Sequence, residues 1–346
     1  MGVIEKTATR REELRIGDLV EVRSEAEILS TLDEHGMLES LPFMSEMLPM
    51  CGQRFRVNKL AHKACDTIDW TGLHRMTDAV HLADVRCDGS GHGGCQAGCL
   101  IYWKTSWLRK VDAQSPSPTP GDPAQVEPSV SGEPSRSARA RLLAAGRREN
   151  LAEPGGRELF VCQATELMRA APEVIPPWEL RQYVDDVRTG NAGLPKVLRA
   201  VLVGIFNSYQ RLSGRLLPAF LRIRGGTRYP FVLGRLTSTP VATLGLLPGE
   251  LVRVRTKDQI VATLDTNNRN RGLSFDVEML KYCGRTARVH RRVDQIIDEK
   301  TGEMIRMRVP CIILQDVTCA ADFHRCCPRA VYAYWREAWL ERVAPT

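Results

Sequence analysis

Apolar and polar side chains alternate in two short segments near the chain ends, and each segment begins with glycine. Residues 17–23 and 249–255 carry leucine and valine at the apolar positions, which predicts a β-strand in each. A short amphipathic helix is predicted after each strand, at 25–32 and 257–264. Similar apolar runs predict further strands at 53–57, 80–85, 285–290, 304–308 and 311–317.

The middle of the chain has helical periodicity instead. Pro176 and Pro177 mark the start of one predicted helix, and Gly190 follows its end. The next helix has one broad apolar face and Gly214 after its last turn; the face contains Val197, Leu198, Val201, Leu202, Ile205, Phe206, Tyr209 and Leu212. Residues 217–247 are punctuated by glycine and proline and are predicted to be β-like.

The two ends of the chain are copies of one sequence at an offset of 232 residues. This offset aligns residues 17–23 with 249–255, the string Glu46-Met-Leu48 with Glu278-Met-Leu280, and residues 102–108 with 334–340. We interpret the repeat as a duplicated module. Positions held in both copies are candidates for folding, and positions found in one copy are candidates for a specialised function.

The repeat divides the chain into four parts. Copy one is expected at 1–112, a Pro/Ser-rich linker with a basic stretch at 113–156, a helical middle region at 157–247, and copy two at 248–346. Each copy ends in two tryptophans four residues apart, which predicts a terminal helix that anchors the core; the pairs are Trp103/Trp107 and Trp335/Trp339. A surface helix is predicted within the basic stretch, at 136–148.

Cysteine and histidine recur at equivalent positions in the two copies. The expected metal ligands are Cys51, Cys87, His92, Cys95 and Cys99 in copy one and Cys283, Cys319, His324 and Cys327 in copy two. Three thiolates and one imidazole per copy are the donors of a tetrahedral zinc site, and iron is the alternative metal.

Copy one has more candidate ligands than one closed zinc site can use. One arrangement closes the site with Cys87, His92, Cys95 and Cys99, which leaves Cys51, His62 and Cys65 for a second function. The other arrangement uses Cys51 in place of Cys99 and leaves Cys99 as a reactive thiol beside the metal. His62, Cys65 and Cys99 are therefore the candidate catalytic residues.

Composition narrows the class of protein. The chain has 346 residues with 43% hydrophobic residues, no apolar run long enough to span a bilayer and no signal-peptide pattern, so a cytoplasmic protein without membrane contact is expected. Eleven cysteines in a reducing compartment indicate metal or redox chemistry, and the net charge of +7 permits an anionic partner. The P-loop, GxGxxG, GxSxG and HExxH motifs are absent from the sequence.

Two resemblances add expectations. The opening GDLVxVR and the later GxxxRV of each copy resemble the SH3-like barrels of KOW modules and of the nitrile hydratase β subunit, which implies two small β-barrels. The strings GHGGCQAGCLIYWK and YWREAWL resemble a family of uncharacterised bacterial proteins that carry this signature once per module, a resemblance that implies no activity.

The expected fold is therefore α+β and mainly β, with two duplicated SH3-like barrel modules, each with a Cys/His metal loop and a terminal helix, around a helical middle region. The expected function is that of a metal-binding biosynthetic enzyme or enzyme accessory with its working site in copy one, where a small molecule or peptide is the substrate and His62 or His81 is the general base. The alternative is a non-catalytic adaptor with structural zinc in both copies that binds nucleic acid or an acidic protein.

Overall fold

A computed structural model describes residues 13–112, 133–149 and 158–343 of the chain, so the predicted linker lies mostly outside the described residues. The fold is a mixed α+β arrangement, rich in strands, as expected. Its strands form several small antiparallel sheets, and within the described ranges none of these sheets closes into a barrel. The same ranges hold no helix with both the length and the apolarity that a membrane crossing requires.

The strands are numbered in chain order. They are β1 Leu19–Val22, β2 Met37–Leu38, β3 Leu41–Pro42, β4 Arg54–Leu60, β5 Lys63–Cys65, β6 Leu73–Arg75, β7 Ala79–Leu82, β8 Trp103–Lys104, β9 Leu108–Lys110, β10 Arg147–Glu149, β11 Glu158–Phe160, β12 Val174–Ile175, β13 Leu251–Val254, β14 Arg269–Asn270, β15 Leu273–Ser274, β16 Thr286–Ile297, β17 Met304–Thr318, β18 Tyr332–Trp335 and β19 Leu340–Arg342.

The α-helices are α1 Glu25–Leu29, α2 Glu133–Ala145, α3 Gln163–Ala170, α4 Arg181–Thr189, α5 Leu194–Leu216 and α6 Lys257–Val261. Short 3₁₀ helices occupy Ser45–Met50, Thr105–Trp107, Ala219–Leu221, Ile223–Gly226, Val277–Tyr282 and Glu337–Trp339.

The two copies form five-stranded sheets with equivalent strand orders. Copy one has the order β8-β7-β4-β1-β9, and copy two has the order β18-β17-β16-β13-β19. Leu19 pairs with Arg56 in the first sheet and Leu251 pairs with Arg288 in the second, so the registers also match at the offset of 232. In copy two β16 and β17 run on as one long hairpin, whereas in copy one the corresponding hairpin is split into β4, β5, β6 and β7.

Capping explains the short helix after the first strand of each copy. The Ser24 hydroxyl accepts a hydrogen bond from the backbone N–H of Glu27, and the Glu27 carboxylate accepts one from the backbone N–H of Ser24. Thr256 and Gln259 repeat this exchange in copy two. Both helices bury an isoleucine at the equivalent position against the sheet.

The tryptophan pairs do not lie on a terminal helix, contrary to the prediction. Trp103 lies in a strand and Trp107 in a one-turn 3₁₀ helix that leads directly into the next strand, and copy two repeats this order. Both rings are fully buried and contact the edge or face of Phe43, at centroid distances of 6.2 and 5.2 Å. Trp103 and Trp107 therefore anchor the core, but strand pairing rather than a terminal helix brings their rings there.

The middle region is helical up to Leu216, as predicted, but residues 217–247 contain 3₁₀ turns and extended loops in place of the predicted β structure. Much of the apolar face of α5 is exposed to solvent and is not packed against the rest of the fold. Seven apolar side chains with spacings of three and four residues point to solvent, each at least 43% exposed: Leu194, Leu198, Leu202, Ile205, Tyr209, Leu212 and Leu216.

Contacts between equivalent positions hold the two copies together. The Thr67 hydroxyl donates to Glu299, which is the equivalent position of copy two, at 2.5 Å. Arg86 donates to the carbonyls of Gly98 and Ala330, which are themselves equivalent. One pair of contacts is reciprocal: the backbone N–H of Cys65 donates to Cys327 Sγ, and the backbone N–H of Ile297, at the equivalent position, donates to Cys95 Sγ. Such reciprocity is typical of a pseudo-symmetric pairing, in which each copy presents the same surface to the other.

Candidate metal centres

A glycine-rich loop brings the first cysteine and the histidine of copy one together. Gly89 has a φ of +77°, and a Cβ at this position would lie 2.1 Å from the carbonyl oxygen of Cys95, so only glycine allows the loop to fold back on itself. The backbone nitrogens of His92 and Gly94 both donate to the Gly89 carbonyl. The turn places the His92 ring over Cys87, with Nε2 3.4 Å from Sγ.

A glutamate from another element completes a group of three, here called the Glu46 cluster: Glu46, Cys87 and His92. Glu46 lies in the 3₁₀ helix Ser45–Met50, and its Oε1 lies 3.2 Å from His92 Nδ1 and accepts a hydrogen bond from the Cys87 thiol at 3.3 Å. One donor atom from each residue lies within 4.8 Å of the other two, and all three side chains are buried. A carboxylate, a thiol and an imidazole in this arrangement can bind one cation.

The second oxygen of Glu46 is unusual for a buried carboxylate. Oε2 is buried and has no hydrogen-bond partner among the described residues. An unsatisfied buried oxygen is costly, and such a group calls for a ligand or ion that the protein atoms do not supply. Gly91 makes room for this oxygen, since a Cβ on Gly91 would lie 2.2 Å from Oε2.

Burial controls the protonation of the cluster. It raises the pKa of Cys87, and the neighbouring Glu46 charge raises it further, so the thiol keeps its proton at neutral pH. Burial also lowers the pKa of His92, although Glu46 opposes this shift. The ring is therefore neutral with a lone pair to offer, and a bound cation would replace the thiol proton.

Copy two repeats the cluster with a different use of its glutamate. Glu278, Cys319 and His324 also lie within 4.8 Å of one another, and Cys319 Sγ is 3.6 Å from His324 Nδ1. Both oxygens of Glu278 are occupied, because they accept the backbone N–H groups of Asp322 at 3.0 Å and Phe323 at 2.6 Å. Phe323 stands at the position equivalent to Gly91, and its ring lies beside that of Tyr229 at a centroid distance of 6.0 Å.

The later cysteines of the copy-one loop lie farther from the Glu46 cluster. Cys95 and Cys99 line a cavity of about 30 Å³ together with Cys87 and His92, but neither belongs to the group within 4.8 Å. Cys95 Sγ accepts the backbone N–H of Ile297 from copy two. Burial raises the pKa of Cys99 to about 12, which disfavours the reactive thiolate that the sequence suggested for it.

Polar side chains also line this cavity. Arg329 forms a salt bridge with Glu299 at 2.8 Å, and the Tyr102 hydroxyl is buried without a hydrogen-bond partner among the described residues. All three residues line the cavity. The thiol and imidazole of the Glu46 cluster and a guanidinium group contributed by copy two therefore line one cavity.

Cys51 and Cys283 are not brought to the clusters. Each caps the C-terminal end of a 3₁₀ helix and packs, half-buried, against the hydrophobic core of its own copy. Burial raises the pKa of both thiols to about 11. Their recurrence in both copies is explained by packing.

Cys65 and Cys327 meet each other across the two copies. The backbone N–H of Cys65 donates to Cys327 Sγ at 3.2 Å. The neighbouring Cys327 thiol lowers the pKa of Cys65, and the Cys65 thiol together with burial raises the pKa of Cys327. Cys65 therefore lies at the copy-two loop, away from the loop of its own copy.

The candidate general bases have structural partners. His62 Nε2 lies 3.1 Å from the buried carboxylate of Asp186, and its Nδ1 is 3.1 Å from the Asn191 amide, so the ring helps attach the middle region to copy one. His81 is fully buried, its Nδ1 bonded to the Ile101 carbonyl, and burial lowers its pKa to about 4. Neither histidine lines the cavity beside the Glu46 cluster.

Sequence reasoning did not select Glu46 or Glu278 as ligands. The signal was present, because both stand at the same position of the repeat and both are charged residues inside an apolar segment. The local spacing of cysteine and histidine does not reveal it, because a carboxylate about forty residues upstream belongs to no local motif.

No protein-family model, curated protein or solved structure matches this chain.

Proposed function

We propose that this chain is a metal-binding protein whose working site is the Glu46 cluster, and that it acts as a metal-dependent enzyme or enzyme accessory. The observation that carries the proposal is the buried, unpartnered Oε2 of Glu46 beside a thiol and an imidazole. Leaving that oxygen unsatisfied costs about 1–3 kcal/mol or more for a charged group, and a cation would remove this cost.

Zinc is the metal that best fits the three donors. A thiolate, a neutral imidazole and a carboxylate suit Zn²⁺, and iron is the alternative. Three protein ligands leave a fourth coordination position, which is the arrangement of catalytic rather than structural zinc sites. The cavity that begins at Cys87 and His92 has room for about two water molecules, so water reaches this position directly and a larger ligand requires the cavity walls to move.

The proposed chemistry follows from the groups that line the cavity. A cation held by the Glu46 cluster would act as a Lewis acid or lower the pKa of a bound water. Arg329 lines the same cavity, and an anionic group of the ligand would bind there by displacing Glu299 from the guanidinium. The equivalent strand orders of the copies also support the proposal of a duplicated module of the SH3-like kind, here with an open sheet.

Metal affinity of two matched variants tests the proposal. Glu46→Gln is expected to weaken binding at the copy-one site by at least about tenfold, because it removes the charged donor. Glu278→Gln changes the equivalent residue, whose oxygens already accept backbone N–H groups, and is expected to leave the copy-one affinity unchanged. Zinc titration against a chromophoric chelator measures both, with far-ultraviolet circular dichroism as the folding control. Wild-type affinity in Glu46→Gln would overturn the assignment.

Cobalt(II) substitution tests whether the site is open. A fourth position filled by solvent predicts that a small anion or thiol changes the visible absorption of the cobalt protein. Arg329→Met is expected to weaken the effect of a carboxylate-bearing thiol more than that of a neutral one. Absorption that no added ligand changes would show a closed, structural site.

A second candidate function, an adaptor for an acidic protein, is favoured by one separate observation. Residues 187–249 contain nine arginines and lysines and no aspartate or glutamate, and the same segment exposes the apolar stripe of α5. A basic surface with an apolar stripe complements an acidic amphipathic helix better than nucleic acid, which offers no long apolar face.

Fluorescence anisotropy separates the two kinds of partner. Leu202→Glu is expected to weaken binding of a synthetic acidic amphipathic helix, while Val203→Ala serves as the control on the same helix. If Leu202→Glu leaves the peptide affinity unchanged, or a single-stranded oligonucleotide binds more tightly than the peptide with a steep salt dependence, the acidic-protein adaptor is excluded.

A further inference from the structure

We propose a second metal site, between the two copies, in which Cys65 of copy one joins Cys319, His324 and Cys327 of copy two to bind one zinc ion. This inference does not rest on the proposed function of the Glu46 cluster. It assigns Cys65 as a ligand in the site of the opposite copy, so the bound ion would cross-link copy one to copy two.

Direct contacts bring Cys65 to the copy-two loop. Its backbone N–H donates to Cys327 Sγ at 3.2 Å, and its carbonyl accepts a hydrogen bond from Arg329 at 3.2 Å. Both thiols are free rather than disulfide-bonded. The end of strand β5 is therefore held beside the loop by two backbone bonds, which fix where the Cys65 side chain can reach.

The other two donors lie on the same side of this loop. Cys319 Sγ is 3.6 Å from His324 Nδ1, and Cys65, Cys319 and Cys327 pack against one small apolar cluster that includes Leu73. Three thiols and one imidazole are thus close neighbours, and a tetrahedral zinc ion with three sulfurs and one nitrogen has this donor set. The Cys65 and Cys327 thiols lie outside the 4.8 Å group of Glu278, Cys319 and His324, so a bound zinc ion would draw these two side chains inward.

Glu278 is not needed as a ligand here. Its two oxygens are satisfied by backbone N–H groups of the loop, so it fixes the loop from the outer side. The contrast with Glu46, whose second oxygen has no partner, separates a supporting glutamate from a ligating one.

The equivalent contact in copy one shows why only one such site forms. Ile297 stands at the position equivalent to Cys65 and donates its backbone N–H to Cys95 Sγ at 3.4 Å, as Cys65 does to Cys327. The backbone geometry is therefore repeated, but isoleucine offers no donor atom. Copy two gains a fourth ligand from its neighbour and can close its site, whereas copy one cannot.

Metal stoichiometry of reduced, full-length protein tests the proposal. Wild type is expected to hold two zinc ions per chain, and Cys65→Ser is expected to hold one, as measured by native mass spectrometry with elemental analysis. Cys51→Ser is the matched control, because it removes a half-buried cysteine of the same copy that contacts neither cluster, and it should keep both ions. Glu46→Gln should lose the other ion and keep this one, so failure of either site is recognised separately.

Two further measurements keep the proposal falsifiable if Cys65→Ser folds poorly. Cys65→His replaces one zinc ligand with another and is expected to restore the second ion. In the cobalt-substituted Glu46→Gln protein, sulfur-to-cobalt charge-transfer absorption should fall by about one third in Cys65→His, since two thiolates replace three. Two ions of unchanged affinity in Cys65→Ser, or a Cys65–Cys327 disulfide in place of zinc in protein purified under reducing conditions, would overturn the proposal.

Discussion

The space beside Gly91 gives a sharp test of the Glu46 cluster. In Gly91→Ala the new methyl group would lie 2.2 Å from Glu46 Oε2 and 2.3 Å from the Ser45 hydroxyl. Ordinary contacts of this kind are about 3.4 Å or longer, so the carboxylate must retreat by about 1 Å. Gly91 does not have a positive φ, so the backbone tolerates alanine and the effect acts through the carboxylate.

The magnitude follows from what a metal site tolerates. Ligand distances are held to about 0.2 Å, and a displacement of about 1 Å takes the carboxylate out of coordination range. We expect a loss of zinc affinity of about 10–100-fold, which corresponds to about 1.4–2.7 kcal/mol. Crowding of the metal-free protein adds a loss of stability of about 1–3 kcal/mol.

The assay is zinc competition with a chromophoric chelator, and urea unfolding in the presence of a metal chelator measures the stability of the metal-free protein. Gly204→Ala is the matched control, because a Cβ at Gly204 meets no atom within 4 Å and the position is helical, so zinc affinity should stay at the wild-type value. In a Glu46→Ala background the effect of Gly91→Ala on affinity should disappear. An equal loss of affinity with and without Glu46, or no loss at all, would refute the reasoning.

Two further predictions concern the supports of the site. Lys63→Met is expected to destabilise the protein by about 3–5 kcal/mol, because it removes the ammonium group that lies 2.5 Å from Asp186 in the core and leaves this fully buried carboxylate with the His62 ring as its neighbour. The double variant Lys63→Met/Asp186→Leu should cost much less in urea unfolding, and equal costs would contradict a role for the charge pair. Burial lowers the pKa of His81 to about 4 from an ordinary value near 6.5. Because the unfolded chain therefore takes up a proton at a higher pH than the folded chain, the free energy of unfolding should fall by roughly 3 kcal/mol as the pH falls from about 6.5 to about 4. His81→Asn should flatten this pH dependence of unfolding while His35→Asn, at an exposed histidine, should not; a wild-type profile in His81→Asn would exclude His81 as the cause.

The strands and short helices could be predicted because their signals are local. Glycine before an alternating segment and a capping residue before a helix act over a few residues, and the repeat doubled each signal. The pairs Cys87/His92 and Cys319/His324 were also predictable as neighbours, since only four residues lie between the two members of each pair in a tight loop.

Other parts of the site depend on contacts that no spacing encodes. Glu46 reaches His92 from another element, and Cys65 meets Cys327 although 262 residues separate them. The predicted ligands Cys51 and Cys283 were chosen from their recurrence, but recurrence does not distinguish a metal ligand from a packed core residue. Residues 217–247 likewise have β-like composition, but their pairing is limited to one isolated parallel bridge from Leu236 to Asp265, which is too short to form a strand.

The sequence by itself determined the repeat, the strand-rich α+β character and the two Cys/His loops, because these follow from periodicity and local spacing. Only the tertiary structure decided which of the cysteine, histidine and glutamate side chains lie close together. It did so through the pairing of the two copies, which places Cys65 against the loop of copy two and Ile297 against the loop of copy one. It also decided which glutamate keeps a free oxygen, because Gly91 leaves room beside Glu46, whereas backbone N–H groups beside Phe323 occupy Glu278.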